Sequence, residues 1–286
     1  MLLVLGAIWG GAFFFARVAV QEIPPLVLVL LRVSIAAAVL QLYLLAAGIS
    51  FRAVLPHALG FAGLAMLNNV IPFSLMFTGQ TAIGAGLASV LNATTPFWTM
   101  ILANIFLSDE RLTPQRFAGI LIGIAGTAVM VGPGLIGGLG GPVWAKLALI
   151  GTALSYACSV IYSRKFVTLR PELMAAGQLT ASTAIMLPVV VLTQDLSGLL
   201  TASGTTWSAV LGLAVIATAL AYLIFFRILA EAGASNTSLV TLIVPVSALL
   251  LGSLFLGERL ESFELAGMAL IGAGLLVIDG RLLRSR

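Results

Sequence analysis

Ionisable side chains are scarce in this chain. Of its 286 residues only 8% are Asp, Glu, Lys or Arg, split into 14 basic and 10 acidic, and there is one histidine and one cysteine. A soluble domain carries about a quarter charged residues, so an ordinary water-soluble globule is excluded. A single cysteine, Cys158, leaves no intrachain disulfide, and no His/Cys/carboxylate spacing suits a metal. The cations stand singly between apolar runs, which excludes a nucleic-acid surface despite the net charge of +4. An intramembrane enzyme would need a nucleophile with a base or a metal cluster, and neither is present. No catalytic residue, metal or cofactor is therefore expected.

What is abundant is apolar sequence: 60% of the residues are hydrophobic. No Asp, Glu, Lys or Arg occurs from Ala53 to Ser108, and a second such run extends from Leu196 to Phe226. A bilayer-spanning helix needs about 20 mostly apolar residues, so the first run has room for two spans and the second for one. Breaks at Gly, Pro and charge divide the chain into ten segments, near 2–20, 26–46, 55–77, 81–107, 115–132, 143–163, 172–193, 207–229, 234–256 and 262–279. The first lacks a basic n-region and a small-residue cleavage site, and reads as a span rather than a signal peptide. Trp144 and Trp207 fall at span ends, where they would anchor at the interface.

Cytoplasmic connections hold an excess of Lys and Arg. With the N-terminus inside, ten cations fall on the inner side against Arg17, Lys146 and Arg259 outside, and Arg32 alone lies within a span. Both termini are accordingly expected in the cytoplasm of a multi-pass protein.

The second half repeats the first. At an offset of 149 residues Gly84-Ala85 falls on Gly233-Ala234, Ser89 on Ser238, Pro96 on Pro245 and Phe106-Leu107 on Phe255-Leu256. One residue fewer brings Glu110-Arg111-Leu112 onto Glu258-Arg259-Leu260, and Ala125-Gly126 onto Ala273-Gly274. An odd number of spans per unit inverts the second unit relative to the first. The expected fold is all-α, with ten transmembrane helices in two inverted five-helix repeats, 1–132 and 143–286, joined by a Gly-rich linker at 133–142. Inverted repeats mark secondary transporters with a midplane site at the repeat interface.

The residues that carry a family likeness are Trp9-Gly10, the stretch Asn68-Asn69-Val70-Ile71-Pro72-Phe73, LNATTPFW from Leu91 to Trp98, and the paired Glu-Arg-Leu turns. With these the chain resembles, over nearly its whole length, the EamA-type members of the drug/metabolite transporter superfamily. The resemblance implies a carrier of the bacterial cytoplasmic (inner) membrane, often an exporter of amino acids or other small metabolites. It also implies a central cavity surrounded by spans one to four and six to nine, with five and ten peripheral.

The polar residues within spans suggest where such a cavity gets its chemistry. Pro96 and Pro245, equivalent in the repeat, lack an N–H and kink their helices, loosening the carbonyls of Asn92 and Thr241. Polar groups at that depth are tolerated only against protein or a water-filled cavity. Asn92, Thr95 and Thr241 are therefore candidates, the alternative being hydrogen bonds between packed helices. Asn69 with Phe73, and their counterparts Thr218 with Tyr222, pair a hydrogen-bonding group with an aromatic four residues on. Trp9 and its rough counterpart Tyr156 join them. Arg32 sits about two turns inside span two, where a charge normally faces the bundle interior. It either attracts a substrate carboxylate or holds carbonyls at a helix junction, and its counterpart Gln178 is also polar.

Every Asp and Glu falls at a junction or span end, so uniport or exchange is expected rather than proton coupling. The leading reading is an alternating-access carrier, in the lipid bilayer, for a small polar or amphipathic metabolite such as an amino acid. A non-transporting scaffold or receptor is the alternative. Gly119 and Gly123 form a G-x-x-x-G that serves a homodimer or a contact within one chain. The G-x-G-x-x-G from Gly132 to Gly137 follows a membrane helix, not a strand, and is not read as a dinucleotide loop.

Overall fold

Short turns built on Pro and Gly set most of the helix boundaries in the computed structural model. It describes residues 1–107, 112–137, 141–166, 168–225, 227–228 and 240–279, with the side chains of 132–137, 241 and 242 left aside. The helices are α1 (Leu2–Ala19), α2 (Pro25–Ala46), α3 (Phe51–Gln80), α4 (Ala85–Asn92), α5 (Thr95–Phe106), α6 (Pro114–Gly137), α7 (Val143–Phe166), α8 (Pro171–Thr193), α9 (Gly204–Phe225), α10 (Val240–Leu256) and α11 (Ser262–Asp279). Among the described residues there is no strand, and eight helices are long and apolar enough to cross a bilayer. Pro25 and Pro171 stand at first helical positions, where a missing N–H costs nothing. Gly48 ends α2 and Gly257 ends α10 at φ +66° and +65°, a conformation that favours glycine.

The helices run up and down. The turns at Pro24, Ile83 and Glu258 lie at one end, called here the Pro24 end, and those at Gly48, Phe166 and Arg170 at the other, the Gly48 end. Ring stacking of Phe61 on Phe166, centroids 5.0 Å apart, ties α3 to α7 at the Gly48 end. At the Pro24 end Glu258 joins the two halves: its carboxylate accepts from the N–H groups of Ala85 (2.8 Å) and Gly86 (3.1 Å), capping α4. Glu22 likewise accepts from the N–H and hydroxyl of Ser203, the residue that caps α9. These two bonds hold the Glu22 carboxyl below the usual carboxylate range.

Nine of the described helices, α1 to α5 and α7 to α10, form the main bundle, while α6 and α11 pack chiefly on each other at its side. The α6–α11 contact is backbone on backbone. A Cβ on Gly119 would lie 2.7 Å from the Gly274 carbonyl oxygen, and one on Gly126 2.7 Å from that of Gly267. Gly119 and Gly123 thus make their close contact within one chain.

Several expectations change. The segment near 81–107 is two helices: Ala93 and Thr94 interrupt it, and Pro96 opens α5 instead of bending a continuous rod. Pro245 does lie inside a continuous α10. Helix α6 runs on through Gly137, into the stretch taken as linker. Lys146, counted among the outer-side cations, is fully buried within α7, its Nζ donating to the Met130 carbonyl (2.9 Å). Glu264 in α11 is also buried, accepting the Glu261 N–H as a helix cap. Arg32 is therefore not alone in the interior.

Two helices depart from α-geometry at matching places. α3 widens into a π-turn over Met66–Val70 and α9 over Gly212–Leu220. A π-turn leaves carbonyls without their usual partners, and membranes tolerate this only where protein supplies substitutes. On α7, Ser155 donates to the Leu67 carbonyl (2.7 Å) and Thr152 to that of Pro72 (3.1 Å).

Candidate functional site

The main bundle encloses a cavity of about 420 Å³ lined by both halves of the chain. Its deep end is formed by Phe13, Arg32, Met76 and Ser89, all buried. It widens past Trp9, Asn68, Phe73, Asn92, Thr95, Pro96, Tyr156, Gln178, Thr218 and Tyr222, and reaches Val160, Ser163, Met174 and Phe225 near the Gly48 end. Val160 there is 48% exposed, whereas Ser89 is fully buried, so among the described residues the lining is more exposed toward the Gly48 end than toward the Pro24 end. Above its deep end Gln80 Nε2 donates to the Phe13 carbonyl (2.8 Å), and Arg17 holds the carbonyls of Gln80 and Thr81. These bonds and the Glu258 cap form a polar layer between the cavity and the Pro24 surface.

Arg32 is the one charged side chain among the described residues of the lining. Its Nε donates to Thr218 Oγ1 (2.9 Å), its guanidinium lies 3.7 Å from the centroid of the Phe73 ring, and Nη1 is buried without a hydrogen-bond partner. It therefore does not hold helix-end carbonyls. Within the α9 π-turn the Thr218 hydroxyl donates its own proton to the Leu213 carbonyl five residues back (2.8 Å). Its oxygen lone pairs accept from Arg32.

Asn68 organises the opposite wall. It donates to Gln178 Oε1 (2.8 Å) and accepts from Ser159 Oγ (2.9 Å), linking α3, α8 and α7. Replacing Asn68 with Leu will strand Gln178 Oε1, while Ser159 Oγ keeps the Tyr156 carbonyl (2.7 Å) as acceptor, and cost about 1–3 kcal/mol, the usual penalty for an orphaned buried polar group. Thermal unfolding of the purified variant measures this; an unchanged midpoint would show the network to be dispensable.

The family model described as the EamA-like transporter family matches residues 1–132 and 143–279. The chain belongs to the EamA-like transporter family. It is a membrane transporter, not an enzyme. Relatives include a probable amino-acid metabolite efflux pump of Salmonella typhimurium, 29% identical with 97% of this chain and 93% of the relative covered. The inner membrane transporter YedA of Escherichia coli K12 is also 29% identical, over 94% of this chain and 86% of its own. A crystal structure matches with a TM-score of 0.69 over 100% of this chain and 99% of the other, at 23% identity, so the two share a fold.

Of the candidate residues in this EamA-family chain, Trp9, Arg32, Phe73, Asn92, Thr95, Pro96, Tyr156, Gln178, Thr218 and Tyr222 line the cavity together. Asn69 does not: it is fully buried against α8, donating to Ser182 Oγ (3.0 Å). The π-turn is the reason, because its wider winding puts residues five apart on one face and aligns Asn68, not Asn69, with Phe73. Pro245 lies beneath the lining, where its neighbour Val244 takes the place. The side chain of Thr241 is outside the described residues. The carbonyl loosened by Pro96 is occupied, since Thr95 Oγ1 donates to the Asn92 oxygen (2.7 Å), while Asn92 Oδ1 is buried without a partner. Ser159 and Ser163 were missed, although their four-residue spacing with Ser155 marks a polar stripe on α7.

Proposed function

We propose that the protein is an alternating-access carrier that exports a small amphipathic metabolite, built as two inverted five-span repeats. The observation that carries this reading is the cavity between the halves, whose described lining is buried toward one end and more exposed toward the other. Volumes of about 300–1,000 Å³ with a few polar groups among aromatics suit small organic solutes. The likeness to a probable amino-acid metabolite efflux pump supports export.

The α6–α11 contact supports the repeat. Gly119 and Gly126 correspond in sequence to Gly267 and Gly274, and Gly119 meets Gly274 as Gly126 meets Gly267. A two-fold axis through the pair carries each contact onto the other. The π-turns of α3 and α9 also fall at corresponding positions, and the family model matches each half of the chain separately. The cation count puts the Gly48 end and both termini in the cytoplasm of a bacterial inner membrane. In that orientation the cavity opens inward, the state that loads an exporter.

Counterflow in proteoliposomes against amino acids, nucleosides and amphipathic ions tests the carrier, and absence of flux for every class would overturn it. No Asp or Glu is among the described lining residues, so substrate flux is expected without proton movement of fixed stoichiometry. An internal pH dye reads that directly; a constant proton-to-substrate ratio would refute uniport and exchange.

A further inference from the structure

A guanidinium keeps its charge inside proteins, and burying one without an anionic partner is costly. Arg32 is 6% exposed, and its hydrogen bonding stops at Thr218. The Phe73 face offers partial compensation through its π-electrons, yet Nη1 is left unmatched. No carboxylate is among the described residues of the lining, so the hollow carries one net positive charge.

Resting on the carrier reading, we propose that the cavity selects monocarboxylates with a neutral, largely aromatic or apolar body, over zwitterions and cations, and that Arg32 holds the carboxylate. The planar fork of Arg matches a carboxylate through paired N–H donors. Trp9, Tyr156 and Tyr222 supply flat surfaces for the body. The unmatched Asn92 Oδ1 accepts from a neutral N–H or O–H of the solute. A zwitterion would bring an ammonium into a space that already holds a cation and has no carboxylate among its described residues to receive it. An amphipathic cation would add a second positive charge with nothing to offset it.

Four compounds of one shape separate these cases: N-acetylphenylalanine, its neutral amide, phenylalanine and phenylalaninamide. Titration calorimetry on the purified full-length protein is expected to show the anion binding about 10- to 100-fold tighter than the other three, the range for a charge-assisted hydrogen bond. Arg32→Gln is expected to remove that preference, bringing the anion to the affinity of the neutral amide in the same variant, and Arg32→Lys to retain part of it. Thr218→Val removes the protein-side bond but keeps the charge, so the preference survives there. If Arg32 served only to pack α2 on α9, Thr218→Val and Arg32→Gln would behave alike, which overturns the anchor. Equal binding of all four compounds overturns it too, as does binding of none. Anchor and carrier fail separately: counterflow of any solute without anion preference leaves the carrier standing.

Discussion

Gly274→Ala is expected to lower the unfolding midpoint of the purified protein by roughly 3–10 °C, while Gly272→Ala, two residues away, leaves it unchanged or raises it slightly. The two sites differ in what a methyl group would meet. At Gly274 it would lie 2.6 Å from the Gly119 carbonyl oxygen, 2.9 Å from Gly123 N and 3.1 Å from Gly123 Cα, all backbone. No rotamer change relieves such contacts, so α6 and α11 must separate. At Gly272 nothing lies within 4 Å. Overpacking of this kind costs about 1–3 kcal/mol, and each kcal/mol moves the midpoint of a chain this large by roughly 2–4 °C. At the open site alanine gains up to about 1 kcal/mol of helix propensity over glycine. Because α6 and α11 contribute nothing to the described lining of the cavity, solute affinity should stay unchanged in both variants. Equal midpoints would mean that the close approach of the helices carries no weight.

Glu258→Ala is expected to produce the second large loss, about 1–3 kcal/mol, from the removal of a charged helix cap. Both carboxylate oxygens are used, one on Ala85 N and one on Gly86 N. The surroundings are shaped for the group: a Cβ on Gly84 would come within 2.6 Å of Glu258 Cδ. Glu258→Gln keeps one acceptor without the charge and should lose about half as much. The same cap belongs to the polar layer that closes the Pro24 end, so unfolding midpoint and solute leak from preloaded vesicles should change together. A variant with full stability and a tight membrane would remove Glu258 from both roles.

The sequence made the fold readable wherever local rules govern. The Pro24-Pro25 and Arg170-Pro171 turns, the apolar runs and Arg32 as an interior charge follow from backbone chemistry and the cost of charge in lipid. The rest depended on tertiary contacts. Asn68 and Asn69 are chemically identical neighbours, and only the π-turn, held by Thr152 and Ser155 of another helix, decides which one faces the cavity. Lys146 lies in the first turn of its segment and counts with the outer-side cations. Its burial depends on Met130 of α6 being there to accept its proton. The polar stripe of α7 was legible by spacing alone but was overshadowed by the prolines of the repeat.

The interruption at Ala93 and Thr94 has a mechanical consequence. Thr94 N donates to Leu91, three residues back rather than four; Pro96 has no N–H to give; and Phe97 N donates to Thr94. The ladder that stiffens a helix is thin there, and bending concentrates where it is thin. On one side α4 is fastened to α10 and to the Glu258 turn, and on the other α5 lies along α7. The pair α4 and α5 is therefore two lever arms with a pivot on the cavity wall, and a force applied at either arm turns about Asn92 instead of travelling down a rigid rod.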